Sequence, residues 1–204
     1  MKGKLFVVSG PSGVGKNTLL NRVMELRTNV QYSVSATSRA MRPGEVDGKS
    51  YYFVSREQFE KLISDDELLE YAEYVGNYYG TPIKPILEAT EKGIDVVMDV
   101  EVIGAMNIQR RIPGAVLVFV LAPSFAVLRS RLEHRGDVSP EAMADRLERA
   151  KWEYSQAENY DYLIVNDDLD TAAAELAAIM QAEKCKTMDR IHLIKEEPEC
   201  FIPQ

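Results

Sequence analysis

The chain has 204 residues, 46% of them hydrophobic and 27% charged, which suits one soluble globular unit with a single core or a core carrying inserted lobes. Its net charge of −8 leaves no basic excess to displace counterions, so non-specific nucleic-acid binding is disfavoured, although a local arginine cluster can still hold a small anion. No stretch approaches the ~18 apolar residues of a membrane span, and the apolar run in MKGKLFVVSG is too short for a signal-peptide core.

In chain order, KLFVVS reads as a short buried strand, followed by a Gly-rich turn and a helix from about Lys16 to Leu26. Residues 32–82 break the rhythm. They hold the alternating YSVSATS, the turn RPGEVDG, then SYYFVS, a short amphipathic helix REQFEKLIS and the aromatic stretch LLEYAEYVGNYYG. This composition predicts a small mixed lobe inserted after the first helix. PILEATEKG reads as a helix, GIDVVMDV as a strand, VIGAMNIQRRI as a helix and AVLVFVLA as a strand.

The helical patterns SFAVLRSRLEHRG and SPEAMADRLERAKWEYSQAENY follow. Ser139-Pro140-Glu141 starts the second with a capping residue, a proline at the first helical position and an early acid. DYLIVND is a fourth buried strand, and DLDTAAAELAAIMQAEKCK an Ala-rich helix. The tail from about Met188 has no clear partner in the pattern and reads as a terminal strand or a disordered end. Alternating buried strands and helices imply an α/β fold, a central parallel sheet with helices on both faces in three layers.

Two cysteines, Cys185 and Cys200, do not make a disulfide framework, and a reducing cytoplasm is expected. His134 and His192 share no spacing with a cysteine or carboxylate cluster, so no protein-built transition-metal site is expected.

The chemistry begins in VVSGPSGVGKNTLL, residues 7–20. Phosphates need several backbone N–H groups converging on one point, and glycines let the chain wrap that tightly. Gly10, Pro11, Ser12, Gly13, Val14 and Gly15 form the wrap, the following helix presents its positive end, and Lys16 supplies a mobile full charge. The usual Ser/Thr of this pattern is Asn17 here, and Thr18 keeps a hydroxyl one place on. An amide oxygen can hold Mg²⁺ through a water, since Mg²⁺ keeps several waters in such sites.

Arg39 and Arg42 flank a turn made by Pro43 and Gly44, so two guanidinium forks can converge on one phosphate. Taken singly these arginines and the nearby tyrosines would be a solvated turn; in combination with the loop they read as a second anion site. Asp99 ends a buried strand, where open α/β sheets bind ligands, and is a candidate to organise Mg²⁺ through water. Glu101 lies two residues on, expected on the same side if the strand continues, or else as the cap of a helix starting near Val102. Arg131, Arg135 and Arg146 lie in a charge-rich helical hairpin.

SGPSGVGKNTLL, SVSATSRAMRPGEVDGKSYYFVS and ELLEYAEYVGNYYGTP together resemble the guanylate kinases, in order from about residue 4 to residue 183. The resemblance implies a P-loop kinase with a core (1–31, 83–123, 157–187), an inserted GMP-binding lobe (32–82), a helical lid (124–156) and a tail (188–204). It implies ATP-dependent phosphorylation of GMP, and of dGMP, with Mg²⁺ carried by the nucleotide phosphates and water near Asn17, Thr18 and Asp99. By correspondence, Arg39, Arg42, Tyr51 and Tyr79 hold the phosphate of GMP, with Glu45 beside them. Ser35, Glu70 and Thr81 meet the guanine, and Asp99 and Glu101 complete that side.

The same resemblance gives Asn166 to the ATP side and brings Arg131, Arg135 and Arg146 to the transferring phosphoryl group. The family usually has Asp where this chain has Glu101. A guanylate-kinase-like scaffold domain that binds phosphopeptides without catalysis is the alternative; its kind has a damaged phosphate loop, whereas Lys16 and the three lid arginines are kept here. A kinase for another nucleoside monophosphate is opposed by Ser35 and Glu70. A monomer or small homo-oligomer working in purine nucleotide metabolism, with no nucleic-acid or membrane partner, completes the expectation.

Overall fold

In a computed structural model that describes residues 2–134 and 139–195, the hub of the core is β1 (Leu5–Ser9), buried at every position. Its side chains alternate between two apolar clusters: Phe6 and Val8 face one, Leu5 and Val7 the other. That is the burial of a parallel strand covered on both sides. The sheet runs β2 (Val30–Tyr32), β7 (Asp95–Asp99), β1, β8 (Val116–Leu121), β9 (Tyr162–Val165), with every pairing parallel. The four strands read from the sequence are there, but β9 is not buried on both faces as expected: it ends the sheet, with Ile164 buried and Leu163 and Val165 exposed. β2 at the other edge is a fifth, too short and too exposed to give an apolar run.

Helices α1 (Lys16–Leu26), α5 (Phe125–Glu133), α6 (Pro140–Ser155) and α7 (Leu169–Glu183) contribute to the cluster on the Phe6 face. On the Leu5 face lie α3 (Ile83–Glu91) and α4 (Val102–Arg111), through Ile86, Ala89, Ala105 and Ile108. The start of α6 follows its sequence signal: Ser139 Oγ accepts from the Ala142 N–H, and Pro140 occupies the first helical position. The described part of the tail, up to Lys195, differs from expectation, and residues 196–204 lie outside the described residues. Thr187–Lys195 is a helix, α8, in place of a strand or disorder, and Lys4 Nζ meets its Asp189 at 2.7 Å.

A second sheet, of order β4-β3-β6-β5, is built from β3 (Ala36–Thr37), β4 (Tyr52–Phe53), β5 (Leu68–Tyr74) and β6 (Asn77–Pro82). Helix α2 (Arg56–Ser64) closes it, opened by a reciprocal capping box between Ser55 and Gln58. Its core is small: Phe59, Ala36 and Leu68 are buried, and Phe59 stacks on Tyr78 with ring centroids 5.2 Å apart. β5 and β6 form a hairpin turned by Val75 and Gly76, both at positive φ (49° and 71°). A two-residue turn of that hand matches the twist of the strands, but a β-branched residue rarely occupies it.

The N-terminal end of β7, opposite the candidate site, carries a buried charge. Asp95 is fully buried; its Oδ1 accepts from the Lys4 backbone N–H at 3.0 Å, and its Oδ2 lies 2.8 Å from Lys184 Nζ and 3.9 Å from Arg27 Nη2. Removing one partner of such a group leaves buried opposite charge uncompensated. Asp95→Asn is therefore expected to lower unfolding stability by about 2–4 kcal/mol in urea titrations, while the folded fraction keeps its catalytic rate because the change lies at the far end of the strand from Asp99.

Candidate active site

The phosphate loop leaves β1 at Gly10, and its backbone explains its glycines. Gly10, Gly13 and Gly15 have φ of 142°, 91° and 91°, in the region that L side chains avoid. A Cβ on Gly10 would stand 2.3 Å from the Val120 carbonyl oxygen of β8, and one on Gly15 would stand 2.6 Å from Asn166 Nδ2. Asn166, nearly buried at the end of β9, donates from Nδ2 to the Val14 carbonyl at 2.7 Å. Its own carbonyl accepts from Arg131 Nη1 at 3.0 Å. The loop is thus tied to the end of β9 through the Asn166 amide side chain, and the Asn166 backbone carbonyl is in turn held by α5.

Lys16, at the first position of α1, folds back over the loop: its ammonium donates to the Gly10 carbonyl at 2.7 Å and lies 3.8 Å from Asp99 Oδ1. The parallel register sets Val8 beside Asp99, which brings the two together. Burial pushes the Asp99 carboxyl above its usual value, opposed by the neighbouring Lys16 charge. Asn17 and Thr18 are exposed on the first turn of α1. Together with Asp99 they offer only hard oxygen donors, and no cluster of three His, Cys, Asp or Glu that could hold a metal occurs among the described residues. Oxygen donors of this kind suit a hydrated Mg²⁺, although Asn17 and Thr18 do not line the hollow that Asp99 walls.

Two hollows meet at the end of β7. One, of ≈ 710 Å³, is lined by Gly10, Ser12, Lys16 and the lid side chains Asp145, Arg146, Arg149 and Glu153, with Asp99–Glu101 as its wall. The other, of ≈ 430 Å³, is walled by the same Asp99–Glu101 and by Ser35, Tyr51, Glu70 and Tyr79 of the inserted lobe. Inside it Glu70 Oε1 accepts from Thr81 Oγ1 at 2.7 Å; burial raises the Glu70 pKa, and the threonine hydrogen bond opposes that. Thr81 is itself buried behind the carboxylate.

Arg39, Arg42 and Glu45 do not line the second hollow, although Arg39 adjoins Tyr51, which does. Glu45 takes a forked contact from Arg39, at 2.7 and 3.1 Å, and accepts from the Arg42 backbone N–H at 2.7 Å. The Arg39 fork holds the Glu45 carboxyl below the usual carboxylate range. The Arg39 guanidinium also lies 5.6 Å from the Tyr51 ring centroid, and Tyr51 meets Tyr79 edge-on at 6.0 Å. The Arg42 side chain is exposed.

On the lid, Arg146 lines the first hollow, whereas Arg131 points its guanidinium at Asn166. Arg135 lies outside the described residues. The strand expected to carry Glu101 stops at Asp99; Glu101 takes the cap position of α4 in extended conformation, and its side chain caps nothing. It binds Arg149 instead, Nη2 to Oε2 at 3.0 Å. Arg149 and Glu153 were not singled out from sequence. The signal available was spacing: they fall three and seven residues after Arg146, on the same helix face.

The guanylate kinase family model matches residues 2–183. A guanylate kinase of Thermus thermophilus is 51% identical over 184 residues, covering 90% of this chain and 83% of the relative. One of Halalkalibacterium halodurans is 49% identical over 185 residues, covering 91% of each. Among solved structures, the guanylate kinase from Anaplasma phagocytophilum superposes with a TM-score of 0.75 at 35% identity, covering 99% of this chain and 98% of that one. By sequence along nearly its whole length and by fold, the chain belongs to the guanylate kinase family.

Proposed function

We propose that this chain transfers the γ-phosphoryl group of ATP to GMP, giving ADP and GDP, as a P-loop enzyme of purine nucleotide metabolism. The observation that carries the reading is the shared wall: a hollow floored by the Lys16 loop and a hollow ending in Glu70 meet at Asp99–Glu101, so two nucleotides can point their phosphates at one another. The intact loop weighs against a binding-only scaffold. No described helix is long and apolar enough to cross a membrane, which is compatible with work in the cytoplasm.

In this reading the loop N–H groups and Lys16 hold the outer phosphates of ATP, and Asn166 keeps the loop in shape. Glu70 and Ser35 read the guanine edge: an ionised carboxylate accepts from the ring N–H and the exocyclic amine, a donor pair that adenine lacks. Arg39, Arg42, Tyr51 and Tyr79 take the GMP phosphate, with Arg39 exchanging Glu45 for it. Arg146 meets charge on the moving group, and Arg131 and Arg135 belong with it on the lid. Mg²⁺ bound to the phosphates, within reach of Asn17, Thr18 and Asp99, supplies charge neutralisation. Phosphoryl transfer asks a protein mainly for positioning and electrostatics, and closure of lobe and lid keeps water from accepting the group.

A coupled ADP-release assay across GMP, dGMP, AMP, UMP and CMP tests the reading, with turnover expected for GMP and dGMP; silence with GMP overturns it. Lys16→Ala is expected to cut kcat about 10²–10³-fold, since it removes a cation from the transferring phosphates. Glu70→Gln should raise KM for GMP about 10–100-fold and leave KM for ATP nearly unchanged.

The raised Glu70 pKa adds a pH signature. Below it the carboxyl is protonated and loses an acceptor, so KM for GMP climbs as pH falls through that value, and Glu70→Gln removes the climb. Asn17→Ser should leave kcat within about threefold while shifting the Mg²⁺ concentration needed for half-maximal rate, read from Mg²⁺ titrations at fixed ATP.

A further inference from the structure

Arg149 is held on three sides. Its Nη2 lies 3.0 Å from Glu101 Oε2 across the cleft, its Nε lies 3.1 Å from Glu153 Oε1 one turn along α6, and its guanidinium stands 5.0 Å from the Trp152 ring centroid. The contact to Glu101 ties the lid helix to the cap position of α4, which is the wall common to both hollows. Arg146 projects from the same face of α6, one turn earlier, so the rotation and height of α6 at Arg149 also set where Arg146 stands above the loop that carries Lys16.

We propose that Arg149 is a positioning residue: with Glu101 and Glu153 it forms a clasp that draws the lid helix onto the wall shared by the two nucleotides and so aligns Arg146 with the phosphates. The chemistry of position 101 fits this. Aspartate there would be shorter by one methylene, about 1.5 Å, and would leave the guanidinium beyond hydrogen-bond range. The longer carboxylate spans the gap. The clasp is also suited to repeated opening: the Glu101 and Arg149 side chains are 78% and 47% exposed, and pairs that wet contribute little to stability. Glu153, only 9% exposed, is the fixed end that keeps the guanidinium aimed while Glu101 is released. The clasp neutralises Glu101 as well, at the seam where anionic phosphates must approach.

This inference rests on the phosphoryl-transfer reading, which the wild-type assay tests by itself. Three variants, Glu101→Asp, Arg149→Met and the double, complete a mutant cycle with the wild type, each scored for kcat and for both KM values. Arg149→Met keeps most of the apolar stem over Trp152, and Arg149→Lys serves as a second probe that keeps the charge without the fork. Each single change is expected to lower kcat about 3–10-fold with KM for ATP little altered, and the double should be no slower than Arg149→Met alone, because both break the same contact.

Trp152 is the chain's single tryptophan, so its emission reports the clasp directly. In the wild type, emission should respond to raising salt from about 0.02 M to about 0.5 M, and kcat should fall with it, as an exposed ion pair is screened. Both responses should be lost in Arg149→Met. Losses in kcat that multiply independently in the double variant, unchanged kcat in Arg149→Met or Arg149→Lys, or a salt response that persists without the arginine would each overturn the proposal.

Discussion

The parallel register of β1 against β7 is the constraint from which the rest of the site follows. Val8 pairs with Asp99, so the strand that launches the phosphate loop and the strand that ends in a carboxylate finish side by side. Lys16 can then reach back across the Gly10 carbonyl to within 3.8 Å of Asp99. Register is strongly fixed here because β1 is buried on both faces, with Phe6 and Val8 packed into one cluster and Leu5 and Val7 into the other. A slip of one residue would exchange the two sets and move Asp99 away from the loop together.

The surrounding elements then serve two different needs. The loop must be rigid, and it is clamped by a close approach to β8 at Gly10 and by the Asn166 amide from β9. In the proposed reading the lobe and lid close over the nucleotides, and their attachments are lighter than those of the loop. The lobe has a core of three buried side chains, Ala36, Phe59 and Leu68, and the lid touches α4 through an exposed ion pair. Differences in local burial of this kind are what allow one part of a fold to open without unfolding the rest.

What was legible in the sequence follows the same division. Buried parallel strands announce themselves as unbroken apolar runs, which is why β1, β7 and β8 could be read; β9 gives such a run although Leu163 and Val165 are exposed at the sheet edge, and three-residue, half-exposed β2 gives none. The β5–β6 hairpin was hidden because its turn is Val75-Gly76, a pair that carries none of the Asn-Gly or Asp-Gly chemistry that marks such turns. Helix α8 was missed because its nine residues bury no side chain and so lack a one-sided apolar face. In the site, Lys16 and Asp99 were found because a spacing or a strand end pointed to them, and Glu70 through the resemblance to the guanylate kinases. Arg149 was not, because its partners Glu101 and Glu153 lie 48 residues before it and one helical turn after it, and only the fold joins all three.

The electrostatics resolve an apparent conflict between an acidic chain and two polyanionic substrates. With a net charge of −8, the protein as a whole repels nucleotides, and a bare cluster of arginines and lysines would have to be held together against its own repulsion. The structure avoids both problems by giving cleft cations a carboxylate: Arg39 has Glu45, Lys16 has Asp99, and Arg149 has Glu101 and Glu153. Each cation is thereby aimed before substrate arrives. In the proposed reading a phosphate entering at Arg39 replaces one anion with another, so the guanidinium changes partner without being desolvated unpaired. Arg146 lines the hollow with no ion-pair partner among the described residues, so in the proposed reading its field is free for charge that develops during transfer.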